Sequence, residues 1–277
     1  MRTRIFIIFI LVAVTFATAC DNNKEKNPVP STDFLLKGDK TVYGYACEGC
    51  NDSVVVLLPS DMSDPVKYDI IKATHAHKIL GKLKIGDWIA VVLSPLDKKV
   101  ADLVIDLDDL QGIWCYTVMP EMRDYAQMSK HLQARMMQEM PDSIRETYLI
   151  PREYGFVLKR QWNASSVGYV PPKSSLEDES PVVYPPLSYF KEWHIWNGKL
   201  IMVSGKPTLQ KDNSYGITDI TYDTCDINYL NADSLVLSSE GASRCYYRKN
   251  NINEINKKAR FMAEKLQKKA LEDSKNR

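Results

Sequence analysis

Short runs in which apolar and polar residues alternate recur from Asp39 onward: KTVYGYA, SVVVLLP, VKYDIIKA, DWIAVVL and KVADLVIDL. Period-two alternation bounded by Gly, Pro, Asp and Ser reads as strand. Five strands are therefore predicted before Leu110, and the stretch from Ala73 to Leu83 leaves room for a helical turn after the third. That pattern predicts a small OB-like β-barrel over residues 33–109, with a small antiparallel sandwich as the alternative.

A second series begins at Leu110 with LQGIWCYTV and resumes in REYGFVLKRQW, SSVGYV, LSYFKEWHIW, KLIMVSG, YGITDITYDTCDINYL, DSLVLSS and SRCYYRK. Asn197-Gly198 between two of these runs is a strong hairpin signal, because both central residues of the favoured turn need positive φ. Consecutive strands with short turns predict an up-and-down barrel over residues 110–250, which abolishes its edges by closing.

Between its first and second strands, Met122, Tyr125, Met128, Leu132, Met136 and Met140 recur every three or four residues, predicting a helix over Glu121 to Met140. Such a Met-rich helix either closes the barrel mouth as a lid or packs on one barrel end. The proline-rich stretch 171–187 is expected to be a rim loop. From Asn251 the tail carries eight basic against four acidic residues, with Ile255, Ala259, Met262 and Leu266 at helical spacing. It reads as a basic C-terminal helix over 251–277, docked on the barrel or laid on anionic lipid.

Ahead of all this, Arg2 and Arg4 precede an apolar run from Ile5 to Val14, then the small residues Ala17, Thr18 and Ala19, then Cys20. That is the pattern of a signal peptide over residues 1–19, too short to span a bilayer comfortably. Small residues directly before a cysteine resemble the bacterial lipoprotein box. The resemblance implies acylation of Cys20 and a lipid-anchored protein of the bacterial cell envelope, at the outer membrane. Plain cleavage beside an incidental cysteine is the other reading. Polar residues 20–32 then form a flexible tether.

Composition trims the functional classes. With 36 Lys plus Arg against 35 Asp plus Glu, the chain has no global basic surface for nucleic acid. Fifteen Tyr beside 12 Gly favour strands with large side chains over a glycine-rich phosphate cradle. The common catalytic strings are absent and only four histidines are present, so no catalytic residue, cofactor or metal is expected. Cys47-Glu-Gly-Cys50 with His75 and His77 leaves a zinc site as a minor alternative to a local disulfide or two thiols. The acidic run Asp106 to Asp109 reads as a solvated linker face.

Gly112-Ile113-Trp114 opening a strand, the later Asp-Ser-Leu-Val-Leu strand, and a last strand ending in Tyr247-Arg248 resemble the lipocalin-like lipoproteins of the Bacteroidetes envelope. The resemblance covers about residues 110–250 and implies a lipocalin-like barrel. It also implies a barrel-base pair in which Arg248, or else Arg244, packs on Trp114. The expected ligand is a small apolar or amphipathic molecule in a cavity lined by Tyr116, Met128, Met136, Trp193 and Trp196. Binding of another protein or a glycan is the alternative, and a Cys-dependent enzyme a third. If Trp114 and the closing-strand Arg both face inward, strand alternation turns Cys115 and Cys245 outward together, predicting a disulfide between them.

Overall fold

The structure, a computed structural model, describes residues 37–123, 127–170, 182–209 and 215–275. The expected signal peptide, Cys20 and the tether lie outside the described residues. The chain divides into Met1–Gly38 and Asp39–Arg277, and the three sheets of the described residues belong to the second unit.

The smaller sheet comprises β1 (Thr41–Ala46), β2 (Val54–Pro59), β3 (Val66–Asp69), helix α1 (Ile71–His75), β4 (Ile79–Leu80), β5 (Trp88–Leu93) and β6 (Ala101–Asp106). Its order is β3-β2-β1-β5-β6-β4. A parallel bridge from Asp69 to Val100 brings β3 back to the start of β6. With α1 following the third strand, this is the expected OB-like arrangement. The two-residue β4 went unread in the sequence because it is too short to alternate.

β5 explains why WIAVVL is apolar almost throughout. Ile89 and Val91 face the small barrel's own core with Val55, Leu57 and Val104. Ala90 faces the other way, into a core shared with Trp114, Trp193 and Leu235 of the second sheet. A strand buried on both faces loses its polar alternation.

After the short helix α2 (Leu107–Leu110) come β7 (Gly112–Val118), β8 (Glu121–Met122), α3 (Lys130–Glu139), α4 (Asp142–Tyr148), β9 (Arg152–Leu158) and β10 (Ala164–Val167). They are followed by β11 (Val182–Val183), β12 (Tyr189–Trp196), β13 (Lys199–Leu209), β14 (Tyr215–Leu230), β15 (Ser234–Ser239), β16 (Ala242–Lys249) and α5 (Lys257–Lys275). The larger sheet runs β10-β9-β7-β16-β15-β14-β13-β12, an antiparallel meander. The ring is nearly closed at the β10–β12 seam by Trp193 N donating to Trp162 O at 2.9 Å, Phe190 N donating to Ser166 Oγ at 2.8 Å and a bridge from Asn163 to Glu192. The protein is thus mostly β, with an eight-stranded barrel-like sheet beside a smaller one.

The expected helix over Glu121 to Met140 is shorter. Glu121–Met122 is strand, paired with Val182–Val183 inside the expected rim loop, and helix begins only after Ser129, whose Oγ accepts from Leu132 N at 3.4 Å. Tyr125 and residues 171–181 lie outside the described residues. The acidic run is also corrected. Asp106 is fully buried and caps α2, accepting from Asp108 N and Asp109 N at 3.0 and 2.9 Å. Asp108 accepts from Trp88 N at the start of β5 and Asp109 from Lys82 N in the β4–β5 loop, each at 2.8 Å. These carboxylates tie backbone segments together, so they are structural acceptors and no linker face.

Candidate functional site

One end of the large barrel is sealed from within. Trp114 is fully buried on the inward face of β7, its Nε1 donating to Leu110 O at 2.7 Å. The guanidinium of Arg248, directly opposite in register, lies 4.2 Å over the Trp114 ring. Arg248 also donates to the carbonyls of Gln111 at 2.6 Å, Ala232 and Asp109. Gly112, at φ +130°, leaves the room: a Cβ there would collide with the Arg248 guanidinium. Arg248, and not Arg244, therefore occupies the base.

The turns at this end all rest on the small barrel. Asn197 Oδ1 accepts from Lys40 N and Asn197 N donates to Asp39 Oδ1, both at 2.9 Å. Asn197 and Gly198 have the positive φ that the hairpin signal required, 47° and 81°. The β9–β10 turn carries Trp162, whose ring lies 4.9 Å from both Trp88 and Trp193 and 5.7 Å from Tyr43. Trp193 Nε1 donates to Lys159 O at 2.8 Å. The buried His194 stacks beside Trp162 at 5.5 Å; burial pulls its pKa down against the opposing pull of Glu192, favouring the neutral ring.

Toward the opposite end the lumen is lined by aromatic rings, with Tyr154 and Phe156 buried and Tyr116, Phe190 and Tyr246 half-buried. Tyr116 on β7, Tyr154 and Phe156 on β9 and Tyr246 on β16 share the lumen with Trp114 by register. Tyr116 lies 5.4 Å from Tyr246 and 6.4 Å from Tyr154, and Phe156 lies 5.1 Å from Tyr246 and 5.7 Å from Phe190, mostly edge to face. The exposed Arg244, opposite the buried Leu237, reaches inward and places its guanidinium 4.3 Å over the Tyr116 ring. Arg152 lies 3.6 Å over the ring of Tyr184. Burial pushes the Tyr246 hydroxyl up, partly offset by Arg244, so it stays protonated at neutral pH.

The expected cavity residues are not gathered in one place. Tyr116 is in the mouth. Trp193 is fully buried in the base cluster, and Trp196 ends β12 at the hairpin that rests on the small barrel, so neither belongs to the mouth. Met128 precedes α3 and is half-buried, whereas Met136 on α3 is exposed. Neither α3 nor α4 contains a buried residue. Arg244, Arg152, Tyr154 and Phe190 went unread; Arg244 was considered only for the base. Alternation from Trp114 and Arg248 marks Tyr116 and Arg244 as inward, and that signal would have found them.

The Cys115–Cys245 disulfide is overturned. All five described cysteines are free thiols, and β16 places Tyr247, not Cys245, opposite Cys115. Alternation still puts Cys245 on the same face, but two residues further along. Cys115 is packed under Val157, Val167 and Ile255. Burial, reinforced by Glu153 and opposed by Lys249, pushes its thiol up to about 12. Cys50 Sγ accepts from Val56 N at 3.3 Å in the β1–β2 turn. Among the described residues no three His, Cys, Asp or Glu side chains gather to hold a metal ion.

Neither a protein-family model nor a curated protein matches the chain. Among solved structures it is similar to a lipocalin-like protein from Bacteroides thetaiotaomicron, at 19% identity over 51% of this chain and 97% of that one, with a TM-score of 0.26.

Proposed function

We propose that this protein binds one small amphipathic molecule in the mouth of its larger barrel, without chemistry, while attached to a bacterial envelope membrane through acylated Cys20. The carrying observation is the asymmetry of the lumen. Its base is filled by Trp114, Trp193, Leu200 and Leu235, all fully buried. Its other end presents the half-buried Tyr116, Phe190 and Tyr246, packed above the buried Phe156, beside an exposed guanidinium. Apolar walls with a few convergent polar groups are how small-molecule sites are built. The anchor is supported by the small-residue run before Cys20.

Titration of the purified protein with the neutral, environment-sensitive dye N-phenyl-1-naphthylamine tests the reading. Saturable binding of one dye per chain is expected, weakened about tenfold by Phe190→Ala, which removes an apolar wall. A linear, unsaturated signal overturns it.

A second reading, an envelope protein that holds another protein or a glycan, is favoured by the exposed Leu132, Met136, Met137 and Ile144 on α3 and α4. A pull-down in which the quadruple Ser variant of these residues loses a partner that the wild type retains would support it.

A further inference from the structure

We infer that the molecule held in this mouth carries an anionic head group, received by Arg152 and Arg244, with its apolar portion directed toward Phe156 and Phe190. The inference rests on the barrel-mouth reading and adds the ligand's charge.

Its basis is a contrast among the lumen arginines. Arg248 at the base has its donors taken by three carbonyls and its face by Trp114. Arg152 and Arg244 each lie over a tyrosine ring, and among the described residues neither forms an ion pair, although Arg244 donates a side-chain hydrogen bond to the Tyr246 hydroxyl. Arg152 Nε is moreover buried with no acceptor. A guanidinium buried without an acceptor is costly, which is why most are paired.

The sheet brings both cations to one place. Arg152 on β9 pairs with Val118, Arg244 on β16 follows the inward set of Tyr246 and Arg248, and β7 with Tyr116 lies between the two strands. Stacking on tyrosine fixes each guanidinium plane, and the edge donors that remain beyond the Arg244–Tyr246 hydrogen bond match a carboxylate or phosphate. Asp223 and Asp226 are the acidic groups whose charge is felt at neighbouring Cys225, where Arg244 opposes them, but neither forms an ion pair with Arg244. Tyr246, protonated at neutral pH, adds a neutral hydroxyl to the same rim.

A matched pair of fluorescent probes, 11-(dansylamino)undecanoic acid and its methyl ester, isolates the head group. The wild type is expected to bind the acid at least about tenfold more tightly than the ester, with the preference shrinking as salt rises. Arg152→Gln/Arg244→Gln together should abolish the preference by weakening the acid about tenfold, to the level of the ester. Displacement by laurate or by dodecyl phosphate then distinguishes a carboxylate from a phosphate head, and either result supports an anionic one. Equal binding of acid and ester to the wild type, or a preference that survives the double substitution, overturns the inference while leaving the barrel-mouth reading intact. Failure of both probes to bind removes that reading and this one together.

Discussion

Asp106 shows how one buried carboxyl can set a pH dependence. It is fully buried, and its Oδ2 has no hydrogen-bond partner. Burial, with the charges of Asp109 and Asp87 adding to it, outweighs the helix-cap N–H bond and pushes the acid up to about 7. In an unfolded chain the same acid ionises near 3.9. Between those values the folded protein keeps a proton that the unfolded chain has lost, so stability falls as pH rises from about 4 through 7 and stays reduced above. Asparagine is also a good N-cap and carries no charge. Asp106→Asn is therefore expected to stabilise the protein by about 1–4 kcal/mol at pH 8, with the gain fading toward pH 4. Urea unfolding at the two pH values measures it, and a gain equal at both would refute the assignment.

Among elements, the C-terminal helix shows what a sequence pattern can and cannot convey. Its apolar stripe was legible: Ile255 docks on the outer face of the barrel beside Cys115, Val157 and Val167, and Ala259 is buried. The latch was not. Asn256, at φ +58°, accepts from Glu153 N at 2.6 Å and donates to the carbonyls of Glu153 and Gly168 at 3.0 and 2.9 Å. Glu153 in turn takes Tyr247 Oη and Lys249 Nζ, each at 2.7 Å. Asn256→Ala removes the side-chain partner of three backbone groups, Gly168 O buried and Glu153 N and O half-buried, and is expected to cost about 2–4 kcal/mol. The loss should appear as faster amide exchange in α5 ahead of the barrel strands; uniform acceleration would contradict a local latch. The strands were readable because alternation is local. The Gln161-Trp162 turn was not: both residues hold φ near +60°, which neither favours, because packing of Trp162 against Trp88 and Trp193 overrides local preference. The cysteine pairing failed for a related reason, since alternation fixes a face but not a register.

At the scale of the whole molecule, attachment and cooperativity are separate questions. The proposed attachment rests on Cys20: Cys20→Ala should release the protein from the membrane fraction, and equal incorporation of a fatty-acid analogue into wild type and variant would sink the anchor. Cooperativity rests on the base of the large barrel. Trp88, Tyr43, Ala90 and Ile105 of the small barrel belong to one core with Trp114, Trp193 and Leu235 of the large one. The large barrel's sealed end is therefore partly built by its neighbour. Two bodies sharing a core unfold together, whereas bodies joined by a small polar interface unfold apart. Chemical denaturation is thus expected to show one transition, coincident by tryptophan fluorescence and far-ultraviolet circular dichroism. Trp162→Ala, which removes the half-buried ring at the junction, should lower stability by about 2–3 kcal/mol. It should also split or broaden that transition, because the coupling between the barrels is what it removes. Two resolved transitions in the wild type, or a Trp162→Ala variant as stable as its parent, would show that the barrels fold independently and that the base does not depend on the small barrel.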